Sequence, residues 1–202
     1  MAEPKLPSPS EIVGFHDSCL ATPGWAKSGA QKFPSGAWNA IEDNHRFNCL
    51  LWDEEDLARR KQVSDSEIAG NKRAIDGYNQ KRNDAIERID VEFLAVLDAA
   101  TRMPRARLHS ETAGAMTDRL SILSLKCFHM RQQTLRADVP MSHVEECEAK
   151  LVRLKEQRED LAGCLGQLLA QASRGEAYFK VYRQFKMYND PKLNPAVYGE
   201  KS

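Results

Sequence analysis

Hydrophobic and polar positions along the chain follow helical periodicity throughout. Ile68, Ile75, Ile86, Ile89, Phe93 and Leu97 are separated by sums of three and four, which gathers them into one stripe about 100° wide on a long helix. Ser64 or Asp65 stands where that helix needs a cap, and the pattern runs to Ala100. A second long helix starts near Ser142, where Val144, Cys147, Leu151, Leu154, Leu161, Leu165, Leu168 and Ala172 form a heptad seam. Arg158 interrupts the seam, so it must meet an acidic partner or mark a solvated stretch. Trp38 to Gln62 contains no breaker, and Thr112 to Arg136 reads as a helix stopped before Pro140. Near the start, Glu11 to Leu20 predicts a short appended helix capped by Ser10. Pro23, Gly24, Gly29, Pro34 and Gly36 then break regular structure, while Trp25 and Phe33 pull that loop down as a lid or strap. No repeat and no alternating strand-like run appears. The expected fold is all-α, a single-domain bundle of about five main helices with a short C-terminal aromatic helix through Tyr178, Phe179, Tyr182, Phe185 and Tyr188. Residues 1–37 are the short helix and loop, 38–190 the bundle domain and 191–202 a tail.

The helix from Trp38 has no simple apolar stripe with a solvated back. At about 100° per residue, His45, Asn48, Trp52, Glu55, Asp56 and Arg59 share one face with Trp38 and Ile41. Phe47, Leu50, Leu51, Leu57 and Ala58 ask for burial on the other side. Covering both sides buries a polar seam, at a cost of several kcal/mol unless every group is paired. The bland alternative is a solvated face carrying i,i+4 ion pairs; Trp52 in mid-seam speaks for a site. Asp76, Asn79, Asn83 and Asp90 flank the isoleucine stripe of the next helix, and Asp118, Ile122, Leu125 and His129 share a face of the following one. The expected site therefore binds a small polar or anionic ligand through Asn48, Trp52, Glu55, Arg59, Asp76, Asn79, Asn83, Asp118, Lys126 and His129. If a reaction occurs there, His45 or Asp56 beside Trp52 serves as general base.

Composition trims the alternatives. Lysine plus arginine and aspartate plus glutamate number 29 each, so no global field draws the chain to nucleic acid or to an anionic membrane. Five cysteines without a C-x-x-C pair suggest neither a disulfide framework nor a zinc knuckle, and a reducing cytoplasm fits. No stretch has the roughly 18 apolar residues of a membrane span, and no apolar run follows the first residues. No metal site is assigned and the cofactor is left open, although Glu54, Glu55 and Asp56 with Glu87 and Asp90 would suit magnesium in a nucleotide hydrolase. Ala58 stands where such a hydrolase needs a further acid. Glu42-x-x-His45 supplies one half of a di-iron motif that requires two. Phosphate-loop, nucleophile-elbow and dinucleotide fingerprints are missing. In the different-class alternative, the helix from Val144 to Ala172 pairs with a second copy or a partner, making the chain a scaffold.

The run from His45 to Arg59, with Ile75-Asp76-Gly77-Tyr78-Asn79-Gln80-Lys81-Arg82-Asn83-Asp84, resembles the bacterial domain-of-unknown-function 4254 family. Glu111 to Gly114, Asp118 to Lys126, His129 to Arg131 and Phe185 to Pro191 agree with it, so the likeness spans roughly residues 38 to 198. Ala113 replaces a proline expected at that helix start. The family brings no activity to transfer. The resemblance implies a setting near cell-envelope polysaccharide synthesis, where a sugar nucleotide or glycan precursor is the natural ligand.

Overall fold

The computed structural model describes residues 6–97, 100–185 and 192–195, and the described part is almost wholly helical. In order come α1 (Pro9–Leu20), α2 (Trp25–Ser28), α3 (Gly36–Leu57), α4 (Asp65–Leu97), β1 (Arg107–Leu108), α5 (Ala113–Thr134), α6 (Met141–Ser173) and β2 (Ala177–Tyr178). Among the described residues no helix is long and apolar enough to cross a membrane.

Local chemistry sets several boundaries. α1 starts at Pro9 and not at the expected Glu11 because Ser8, not Ser10, caps it: the Ser8 hydroxyl accepts from the Glu11 N–H, and the Glu11 carboxylate accepts from the Ser8 N–H at 2.8 Å. Ser64 and Glu67 make the same reciprocal pair at the start of α4. Thr112 accepts from the Ala115 N–H at 3.1 Å to open α5. α3 stops at Leu57, short of the expected Gln62.

α3 and α4 pack antiparallel: Glu54 accepts from Asn71 near their connection, while Arg88 reaches back to Asn39 and Asp43. α5 and α6 form the second hairpin, and α1 lies against both. The appended helix is therefore part of the core, with Ile12, His16 and Cys19 buried beside Ile41, Ile89, Phe93, Leu120 and Leu165. The heptad seam of α6 is turned inward on its own chain through Leu161, Leu165, Leu168 and Ala172. Its exception is resolved by an acidic partner, since Arg158 donates to Asp17 of α1 at 2.7 Å and to Ser124 at 3.2 Å.

The aromatic C-terminal helix does not form over its described part. Ala177–Tyr178 pairs in parallel with Arg107–Leu108, and residues 179–185 have no helix; Tyr188 lies outside the described residues. A three-and-four spacing of aromatics is compatible with an extended segment that buries Phe179 alone, at 2 % exposure, while Phe185 stays 89 % exposed.

α4 and α5 approach so closely that only glycine fits at one point. A Cβ on Gly114 would collide with the Ile86 carbonyl oxygen and come within 2.9 Å of Asp90 Oδ1, the atom that accepts from the Gly114 N–H at 2.6 Å. Alanine would gain at most about 1 kcal/mol of helix propensity. Overpacking a rigid backbone contact costs about 3 kcal/mol, the upper part of its usual range, so the clash wins. Gly114→Ala should lower the urea midpoint by a net destabilisation of about 2 kcal/mol; an unchanged midpoint would refute the close approach.

Candidate functional site

The polar seam of α3 divides into a sealed half and an open half. In the sealed half, Asp118 of α5 accepts through Oδ1 from the side-chain amides of Asn44 and Asn48, both at 2.9 Å. Asn48 also donates to the Ser121 hydroxyl at 3.0 Å, and that hydroxyl lies 2.8 Å from His45 Nδ1. Asn44, His45 and Ser121 are fully buried because α1 crosses this end of the seam: the His16 ring stacks on His45 at 4.3 Å. Burial holds His45 neutral and pushes its pKa down to about 3, with Arg46 adding to the fall and a hydrogen bond to the His16 backbone opposing it.

Two turns further along, the seam opens. Asn48, Trp52, Glu55 and Asp56 of α3, Arg59 in the turn after it, Asn79 and Arg82 of α4, and Ile122 and Leu125 of α5 line a cavity of about 420 Å³. The i, i+4, i+7 spacing of Asn48, Trp52 and Glu55 carries one stripe along its wall. Asn48 spends its amide protons on the network behind it, leaving its carbonyl oxygen for the cavity side. Arg59 is tied to Glu55 at 3.0 Å, whereas the Asp56 carboxylate and the Asn79 side-chain amide take part in no hydrogen bond or ion pair among the described residues. Arg82 Nε is buried without a hydrogen-bond partner, and its closest carboxylate oxygen, Asp118 Oδ1, is 3.7 Å away. The site thus combines a guanidinium, carboxylates, amides and an indole above an apolar floor. Such a set can hold an anion and several hydroxyls together.

The remaining candidate residues fall elsewhere. Trp52 stacks on His129 with ring centroids 4.4 Å apart and planes 3° from parallel, so His129 braces the wall and itself faces a neighbouring depression with Cys19, Cys49 and Asp53. Burial lowers the His129 pKa, with Asp56 and Asp53 pulling it back. Asp76 points to solvent, 63 % exposed and paired with Lys72. Asn83 is buried beside, not in, the cavity lining. Lys126 lines a different depression with His109, Glu111 and Asp160. His45 lies beneath α1, out of reach of the cavity.

The acidic groups that would suit magnesium do not converge. Glu54 accepts from Asn71, Glu87 from the Gln184 N–H, and Asp90 from Gly114 at the start of α5. Among the described residues no group of three or more His, Cys, Asp and Glu side chains is placed to hold a metal ion. Burial raises Asp90 to about 6 despite its bonds from Thr112 and Gly114.

Asn44, Ser121, Arg82 and His16 complete the arrangement without having been singled out by sequence reading. Asn44 and Ser121 sit one turn from Asn48 and Asp118, so extending each stripe by four and by three would have found them. His16 carried no such signal, because nothing local says that α1 crosses α3. A family model described as protein of unknown function (DUF4254) matches residues 38–181, a span that holds every residue lining the cavity. No curated protein and no solved structure matches the chain.

Proposed function

The chain belongs to the DUF4254 family, and we propose that this member binds a small phosphorylated sugar in the cavity between α3, α4 and α5. The observation that carries the reading is Arg82, whose guanidinium makes no hydrogen bond and only a 3.7 Å ion pair with Asp118, at the edge of a cavity that also holds an amide and a carboxylate without hydrogen bonds. The accessible remainder of that guanidinium, with the side chain 27 % exposed, offers charge-assisted donors to an incoming oxyanion. Asn79, the Asn48 carbonyl, Glu55 and Asp56 suit sugar hydroxyls, and Trp52 offers an apolar wall to the C–H face of a ring. A volume of about 420 Å³ falls within the range of small-ligand pockets. A cytoplasmic setting near cell-envelope polysaccharide synthesis, as the family resemblance implies, would supply such compounds. Of the two groups nominated as general base, Asp56 lines the cavity and His45 does not, so proton transfer to or from a bound hydroxyl falls to Asp56.

Thermal unfolding with glucose 1-phosphate and with a uridine diphosphate sugar, each with and without magnesium, tests the reading. At about 100 times Kd, either ligand should raise Tm by roughly 5–10 °C. Arg82→Ala and Asn79→Ala should abolish that rise while leaving the unliganded Tm within a few degrees. A wild-type chain indifferent to every probe would remove the ligand reading.

A further inference from the structure

A second depression, of about 400 Å³, lies between the C-terminal half of α5 and α6, beneath the last turn of α1. Its walls are apolar: Leu20, Phe128, Leu135 and Leu151 face it, and Leu135 remains 69 % exposed although it lines a groove. Arg131 and Lys155 also line it. Neither cationic head group makes a hydrogen bond or ion pair among the described residues. The one carboxylate in the lining, Asp17, is already held by Arg158 at 2.7 Å. An apolar groove with two uncompensated cations beside it is complementary to a molecule with an apolar body and an anionic head.

We propose that this groove binds a single-chain amphipathic anion, an alkyl or acyl chain ending in a carboxylate, phosphate or sulfate. The chain lies against Phe128, Leu135 and Leu151, and the head group meets Arg131 and Lys155. The groove shares no lining residue with the phosphorylated-sugar cavity, so the two sites are occupied independently.

Isothermal titration of the full chain with decanoate, decyl phosphate and decyltrimethylammonium, each below its micelle threshold, tests this. Decanoate and decyl phosphate should bind saturably at one site, and decyltrimethylammonium should bind at least about tenfold more weakly, the discrimination expected from one or two uncompensated charges. Glucose 1-phosphate should not compete with decanoate. The double variant Arg131→Glu/Lys155→Glu should reverse the preference; if it fails to fold, Arg131→Gln/Lys155→Gln should weaken decanoate binding and remove its sensitivity to salt. Equal binding of the cationic and anionic chains, or a double variant that keeps native decanoate affinity, overturns the proposal. So does a chain that sediments with phosphatidylglycerol vesicles yet ignores decanoate, which would make the groove a membrane contact.

Discussion

Arg46→Ala should cost about 3–5 kcal/mol, the usual penalty for breaking a buried ion pair, and should release the strap between α1 and α3. Arg46 is 6 % exposed and Glu42 fully buried, one turn apart on α3. Through Nη1, Arg46 donates to the carbonyls of Trp25 and Ala26 at 2.9 and 3.1 Å; through Nη2 it donates to the Ala30 carbonyl and to Glu42. Its guanidinium lies 4.3 Å from the Trp25 ring centroid. Glu42 in turn accepts from the N–H groups of Lys32 and Phe33 at 3.0 Å. Two α3 side chains thus satisfy the strap's backbone, and removing Arg46 leaves the buried Glu42 carboxylate without its counter-charge and the Ala26 and Ala30 carbonyls without their side-chain donor. Urea titration reads the loss, and limited proteolysis between residues 21 and 35 should show early cleavage. Arg46→Met/Glu42→Gln should lose less than Arg46→Ala, because no unpaired charge remains. A midpoint shift below about 1 kcal/mol for Arg46→Ala would mean that water replaces the guanidinium freely.

That strap illustrates where the sequence was legible and where it was not. The isoleucine stripe of α4, the heptad of α6 and the seam of α3 each repeat within one element, and local periodicity reports which face is covered. The glycines and prolines of 21–37 marked a loop, and Trp25 and Phe33 marked its packing: Phe15 meets Trp25, Phe33 and Trp38 at ring distances of 5.6 to 6.3 Å. Glu42 and Arg46, however, have the i,i+4 spacing of countless surface pairs. Their burial follows from α1 and the strap closing over α3, a long-range fact with no local signature. The same crossing split the α3 seam. It sealed His45 beneath His16 and left Asn48, Trp52, Glu55, Asp56 and Arg59 facing the cavity, although periodicity alone assigns all six to one helical face. Arg158 was the opposite case, since a charge inside an apolar heptad announces that another element must meet it.

Lowering the pH from 7 to 5 should destabilise the protein, and two histidines account for the loss. His16 and His45 are fully buried and stacked. Burial depresses His16 well below 6.5, and His45 and Arg158 depress it further; His45 falls to about 3. Both stay neutral in the folded chain while the unfolded chain takes up a proton at each below about 6.5. The unfolded state therefore binds more protons in this window, so stability is present above pH 6.5 and drains as pH falls towards 3. By pH 5 His45 has withdrawn about 2 kcal/mol, and His16 adds a loss of the same sign. Asp90 acts with the opposite sign. Its folded pKa of about 6 exceeds the ordinary 3.8, so it restores stability as pH falls through that interval, about 1.3 kcal/mol by pH 5. The histidines prevail because there are two of them and their window begins higher. His16→Leu isolates one share: neither His16 nitrogen has a hydrogen-bond partner, so the substitution removes no bond and should be nearly neutral at pH 7. At pH 5 it should recover the His16 share of the loss, whereas Asp90→Asn should steepen the acid loss by removing the opposing contribution. Urea midpoints at pH 7, 6 and 5 for the wild type and both variants decide the matter. A wild type equally stable at pH 7 and 5, or a His16→Leu chain as acid-sensitive as its parent, would show that water reaches the stacked rings and that α1 does not seal the seam.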